Sequence, residues 1–191
     1  MSFANEFAAV DWLITSNLKT SGVDAFALSL IKAERQIRRI FTHLIFQNEA
    51  FRPEHTNDLR STLVQNRRCY FEGFERGVDA ILPISVKTLV GSEYEQLRPL
   101  LSEATDVRNK IFHGQLTGKQ LTRNDLFQYV RAVRRWCELL AISADREIGY
   151  DGFERNSFRK GRVGIAKSFT QPLSDIAAYK RFLQDNVERR S

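Results

Sequence analysis

Cysteine is scarce in this chain, with Cys69 and Cys137 the only two. They lie far apart and both fall inside apparent helices, so no disulfide framework organises the fold and a reduced, cytoplasmic compartment is the simple expectation. Histidine is nearly as scarce, at three residues, and no pair of His or Cys has ligand spacing. A zinc site is therefore not expected, and no cofactor motif is present. No apolar run approaches the roughly 18 residues of a membrane span. The first residues carry Glu6 and Asp11 without a basic segment, unlike a signal peptide. There is no internal repeat, low-complexity tract or clear linker.

What is present is aromatic and basic. Phenylalanine supplies 14 of the 191 residues and the hydrophobic fraction is 42%. A domain of this size buries roughly 70% of its unfolded surface, enough for a core without staples. The net charge of +6 favours a polyanionic partner such as RNA or DNA.

The apolar periodicity is helical throughout. Residues 4–18 read as a short amphipathic helix. Ser21, with Asp24 at the capping-box position, opens a long helix to about Phe51, stopped by Pro53. Thr56 caps a third helix running through residue 82, with Gly73 and Gly77 loosening it. Pro83 and Gly91 bracket a short piece. Ser92 and Glu95 form a capping box for a helix through residue 112, ended by Gly114. Thr122 and Asp125 cap a helix over about 123–144. Residues 149–171 lose the helical period and read as a structured loop with room for a short hairpin. Ser174 starts a last helix to about Val187. The expected fold is all-α: an antiparallel helical bundle over 1–148, with a basic, irregular extension over 149–191 packing on the same domain.

Charges interrupt two apolar stripes. Each helical residue advances about 100°. With Glu34 at zero, Ala27, Leu30, Ile31, Ile37, Phe41 and Ile45 fall within about 60° of it, and Arg38 lies about 40° away. Glu34 and Arg38 stand at i and i+4 and can pair. A charge facing a core costs several kcal/mol unless paired, so the pair is either a buried structural ion pair or part of a site. His43 falls on the polar side of this helix, and His55 follows Pro53 in a turn; both are expected at the surface. On the later helix, Leu97, Leu100, Leu101, Ala104, Val107 and Ile111 form one face, with Arg108 about 40° from Ala104. Asn109 follows, and His113 shares a face with it just before Gly114.

This constellation has chemical sense for RNA cleavage. RNA carries its own nucleophile, the ribose 2′-OH. A histidine can move the proton, and an arginine fork can stabilise the charged transition state. The cysteines have no histidine nearby to activate them and read as core hydrophobes. Asp106 can pair with a basic residue.

The stretch DVRNKIFHGQ, residues 106–115, resembles the signature of the HEPN superfamily (higher eukaryotes and prokaryotes nucleotide-binding domain): Arg, four to six residues, then His, with a polar residue directly after the Arg. Arg108, Asn109 and His113 fit it. Glu34, Arg38 and Arg39 resemble the Glu, three residues, basic pair of catalytic members, with Arg38 where Lys is frequent. The resemblance covers roughly residues 5–145. It implies a homodimer with a composite cleft, and a metal-independent endoribonuclease leaving a 2′,3′-cyclic phosphate. Arg108, Asn109 and His113 would be catalytic there, with Glu34 and Arg38 beneath them. It also implies a setting in toxin–antitoxin or antiviral defence, with an antitoxin or defence-system partner.

The extension departs from a minimal domain of this kind. Arg155, Arg159, Lys160, Arg162 and Lys167 interleave with Tyr150, Phe153, Phe158 and Phe169. Either these cations and rings bind single-stranded RNA, or the rings pack back on the bundle. Two other functions stay open: a non-catalytic helical module binding RNA or protein, and nucleotidyl modification. The latter would need a tyrosine near the motif, and none lies within ten residues C-terminal of His113.

Overall fold

The computed structural model describes residues 3–66, 69–118, 120–154, 156–161 and 164–188. Among them the fold is all-α, and no strand is present. Eight helices follow in order: α1 Phe3–Thr15, α2 Ser21–Gln47, α3 Thr56–Gln65, α4 Phe71–Ile81, α5 Val86–Val90, α6 Tyr94–Phe112, α7 Arg123–Ile148 and α8 Ile176–Phe182. A π turn, Leu183–Val187, continues α8. No helix among the described residues is long and apolar enough to cross a membrane.

Helix α2 is the centre. Gly22 faces Arg123 and Leu126 of α7, while Gln36 further on donates to the Cys137 carbonyl at 2.9 Å, so α2 and α7 run parallel. Helix α1 runs antiparallel to α2 and carries a buried carboxylate, Glu6, which accepts from Lys32 at 3.0 Å and Arg35 at 2.9 Å. Helix α6 packs on α7, with Glu93 just before it paired to Arg135 and Tyr94 against Trp136. Trp136, Phe41, Phe26 and Ile37 belong to one continuous core.

The ends of α7 follow the sequence chemistry. The Thr122 side chain accepts from the Asp125 N–H, the Asp125 carboxylate accepts from the Thr122 N–H, and Gly149 at φ 68° closes the helix. Helix α7 reaches Ile148, four residues past the expected end. The other expected caps differ. Ser21 is buried and its hydroxyl makes no cap bond; the preceding Thr20 carbonyl accepts from the Asp24 N–H instead. Glu95 pairs with Lys87 rather than closing a box on Ser92. The last helix starts from Asp175, which accepts from the Ala178 N–H at 2.7 Å.

The expected helix from Thr56 to residue 82 is two helices. The chain breaks after Gln65, and Cys69 bridges to Glu188 from the far end of the sequence. Gly73 and Gly77 do not loosen α4; they let the C-terminal turn dock on it. A Cβ at Gly73 would sit 2.0 Å from the Val187 carbonyl oxygen, and one at Gly77 2.7 Å from the Phe41 ring. Arg76 between them donates to the Asn186, Val187 and Glu188 carbonyls.

The 149–171 segment forms no hairpin among the described residues. It wraps the end of α2, with Tyr150, Phe153 and Phe169 buried and Phe158 half-buried. Gln36 also donates to the Asp151 carbonyl at 3.1 Å, and Gly152 at φ 88° passes so close that a Cβ would meet Gln36 at 2.6 Å. This wrapping overturns the surface expectation for His43. Its ring is fully buried, 4.5 Å from the Tyr150 ring, with Nδ1 3.3 Å from the Ser157 carbonyl oxygen. The polar side of α2 at His43 faces the extension, not solvent.

Two predictions follow from the packing around α4. Gly73→Ala forces a side chain against the Val187 backbone and should cost about 2 kcal/mol, read as a lowered denaturation midpoint in urea. Glu75 is 9% exposed at its side chain and sits 3.0 Å from Arg98. Burial pushes its carboxyl from 4.5 up to about 7, against the pull of Arg98. The folded protein then holds more proton than the unfolded chain between these values, so stability falls as pH rises through that window. The loss should be on the order of 2–3 kcal/mol between pH 4.5 and 8, and Glu75→Gln should flatten it in thermal melts across pH.

Candidate active site

A cleft of about 660 Å³ opens where α2, α4, α6 and the C-terminal π turn meet. Glu34, Arg108, Asn109 and His113 all line it. Position along α6 explains their convergence. Val107 is buried and anchors the helix, Arg108 leans off that anchor onto α2, and Asn109 beside it is exposed. His113 stands at the α6 terminus, where its N–H closes on the Asn109 carbonyl at 3.0 Å, and Gly114 at φ 64° turns the chain away.

Arg108 is held on two edges. Its Nη1 donates to Glu34 Oε1 at 2.7 Å; its Nε and Nη2 donate to Asn109 Oδ1 at 3.3 and 3.0 Å. Its side chain is 17% exposed and that of Glu34 is 40% exposed. Among the described residues one N–H on each terminal nitrogen has no partner, so the plane is fixed while donors remain for an anion. The His113 side chain is exposed and makes no hydrogen bond or ion pair among the described residues. Asn109 therefore orients Arg108 through its carbonyl oxygen.

The other cations of the cleft are committed. Arg98 pairs with Glu72 and Glu75, and Arg76 holds the C-terminal turn. Asp106 lines the cleft and makes no ion pair among the described residues. Tyr70, with an exposed ring, lines it as well. Sequence reading missed Tyr70, because a continuous helix over 56–82 hid the break that presents it.

Arg38 is placed elsewhere. It was expected on the buried stripe beside Glu34, but it is exposed and lines a different cleft. The buried face of α2 is centred near Ala33 and Ile37 rather than Glu34, and Ile31 is 51% exposed. Glu34 thus sits at the border of that face and reaches across to α6 for its partner.

The basic residues of the extension separate in the same way. Arg155 and Arg162 lie outside the described residues. Lys160 donates to the Phe46 and Asn48 carbonyls at 2.6 and 2.8 Å, which ties it to the end of α2. Arg159 is exposed, and its carbonyl accepts from Gln47 at 3.1 Å. The thiols are poor nucleophiles: burial pushes Cys137 far up, and burial followed by Glu188 raises Cys69 to about 11.

No family model matches the chain, and neither a search of curated proteins nor a search of solved structures finds a match.

The half-exposed Glu34–Arg108 pair should contribute little to stability. Glu34→Gln is expected to lower the unfolding free energy by less than about 1 kcal/mol in urea titration, because solvent screens the pair. A loss of several kcal/mol would show that Glu34 balances a buried charge instead.

Proposed function

We propose that the chain is a metal-independent endoribonuclease of the HEPN type. The observation that carries this reading is the clamped Arg108 guanidinium, with uncommitted donors, sharing one cleft with the exposed imidazole of His113. In the proposed reaction His113 removes the proton of a ribose 2′-OH. The oxygen attacks the adjacent phosphorus, and the 5′-oxygen leaves and takes up a proton. The products are a 2′,3′-cyclic phosphate and a 5′-hydroxyl. Arg108 neutralises the charge that builds on the phosphate oxygens. Glu34 and Asn109 position Arg108.

The resemblance in the Arg108–His113 stretch further suggests a homodimer whose two clefts combine, and a role in toxin or antiviral defence. Exposed apolar side chains lie within and just after the motif, Phe112 at 62% and Leu116 at 94%, which suits cover by a second copy. The competing reading is a non-catalytic helical module that binds RNA or protein. It draws on the His113 ring, which no described residue orients.

Purified protein incubated with tRNA and mRNA in EDTA tests the proposal. Cleavage leaving 2′,3′-cyclic phosphate ends is expected, with a loss of roughly 100-fold or more in His113→Ala. Undiminished cleavage by His113→Ala would sink the mechanism. Glu34→Gln should lower the rate while leaving the chain folded.

A further inference from the structure

A second cleft, of about 460 Å³, lies beside the first along α2. Arg38 and Arg39 of α2, Arg60 and Val64 of α3, and Phe158 of the extension line it. No carboxylate does so among the described residues. Arg38 is exposed and makes no ion pair with any described residue. Arg60 lies over the Phe158 ring, 4.8 Å from its centroid, and likewise has no carboxylate partner among them.

Cations gathered in one cleft repel each other, and an anion bound among them removes that repulsion. A guanidinium over a ring keeps N–H donors for a planar or tetrahedral anion, and its planar group can also stack with a base. Val64 is 77% exposed and Leu63 lines the cleft beside it, so an apolar wall stands next to the donors. Donor forks beside a flat cation and an apolar wall suit a nucleotide better than a bare anion. The two clefts share their dividing wall. Glu34 lines the first and Arg38 the second, one turn or about 6 Å apart along α2. Tyr70 lines the first and Cys69 the second.

We propose that the Arg38–Arg60 cleft is a nucleotide-binding site, with the phosphate held by these two arginines and the base against the Arg60 plane and Val64. The nucleotide has two sources. It is a neighbour of the scissile phosphate in one RNA strand, which rests on the ribonuclease reading above, or it is a free mononucleotide.

The test uses the full chain, a fluorescent 2′-O-methylated oligoribonucleotide and AMP. The probe has no 2′-OH and cannot be cleaved, so anisotropy reads binding alone. The Arg38→Ala/Arg60→Ala double variant should bind the probe roughly tenfold or more weakly, and its salt dependence should fall by about 1.4 in slope, the share of two phosphate contacts on a single strand. Both replaced side chains are exposed, so the unfolding midpoint should not move.

If the probe loses affinity in the double variant and AMP does not displace it, an RNA strand is the source. If AMP binds and the double variant loses that binding, a free nucleotide is the source. Unchanged affinity for both ligands, or no binding of either by the parent chain, overturns the proposal. The two readings fail separately. A parent chain that binds through these arginines but leaves unmodified RNA intact removes the ribonuclease reading alone. Cleavage with the same KM and the same probe affinity in the double variant removes this cleft alone.

Discussion

From Ile40 to Asn48 every residue of the chain is buried, polar ones included. A helix enclosed on all sides cannot leave its polar groups to water, so each needs a partner within the protein. Thr42 donates to the Arg38 carbonyl; Gln47 donates to the Arg159 carbonyl and accepts from the Gly161 N–H; Asn48 accepts from the Leu173 N–H. That enclosure pushes the ionic residues of α2 back toward its middle, where cover is partial. Glu34 and Arg38 lie at this border, and both clefts open there.

The carboxylates of α1 and α2 show how exposure separates roles. Glu6 is buried and receives two cations, Lys32 and Arg35, as a buried charge requires. Glu34 is half-exposed and receives one, Arg108, whose other edge is held by Asn109. The first arrangement leaves little capacity for a ligand. The second fixes the orientation of a cation in a cleft and leaves some of its donors open.

Much of this was legible along the chain. The all-α class follows from periodicity, and the ends of α7 follow from Thr122, Asp125 and Gly149. Glu34 and Arg108 each stood out as a charge at an apolar stripe, but periodicity gives a face and not a partner, so their pairing across two helices did not emerge. The misplacements of Arg38 and His43 have separate sources. Periodicity centres the stripe that holds Arg38 on Glu34, whereas the buried face is centred near Ala33 and Ile37. The projection that puts His43 at the surface assumes a single solvent side, while α2 is wrapped there by a segment more than a hundred residues away in sequence. The break before α4 carries no proline or glycine between Leu63 and Tyr70. It coincides with a contact between Cys69 and Glu188, which no local signal announces.

The partners of α2 also set an order in time. Gln36 waits for Cys137 and Asp151, His43 for Ser157, Gln47 for Arg159, and Asn48 for Leu173. While the chain is being synthesised, α2 emerges before all of these partners, which lie more than a hundred residues further on from the side chains they meet. Closing such distant contacts is slow, and a helix with an unfinished apolar surface is open to wrong partners meanwhile. A ribosome-bound fragment ending before residue 150 thus contains the whole of the first cleft's α2 and α6 walls, yet lacks the segment that lets α2 be buried. The centre of the molecule is completed by a segment made more than a hundred residues after it.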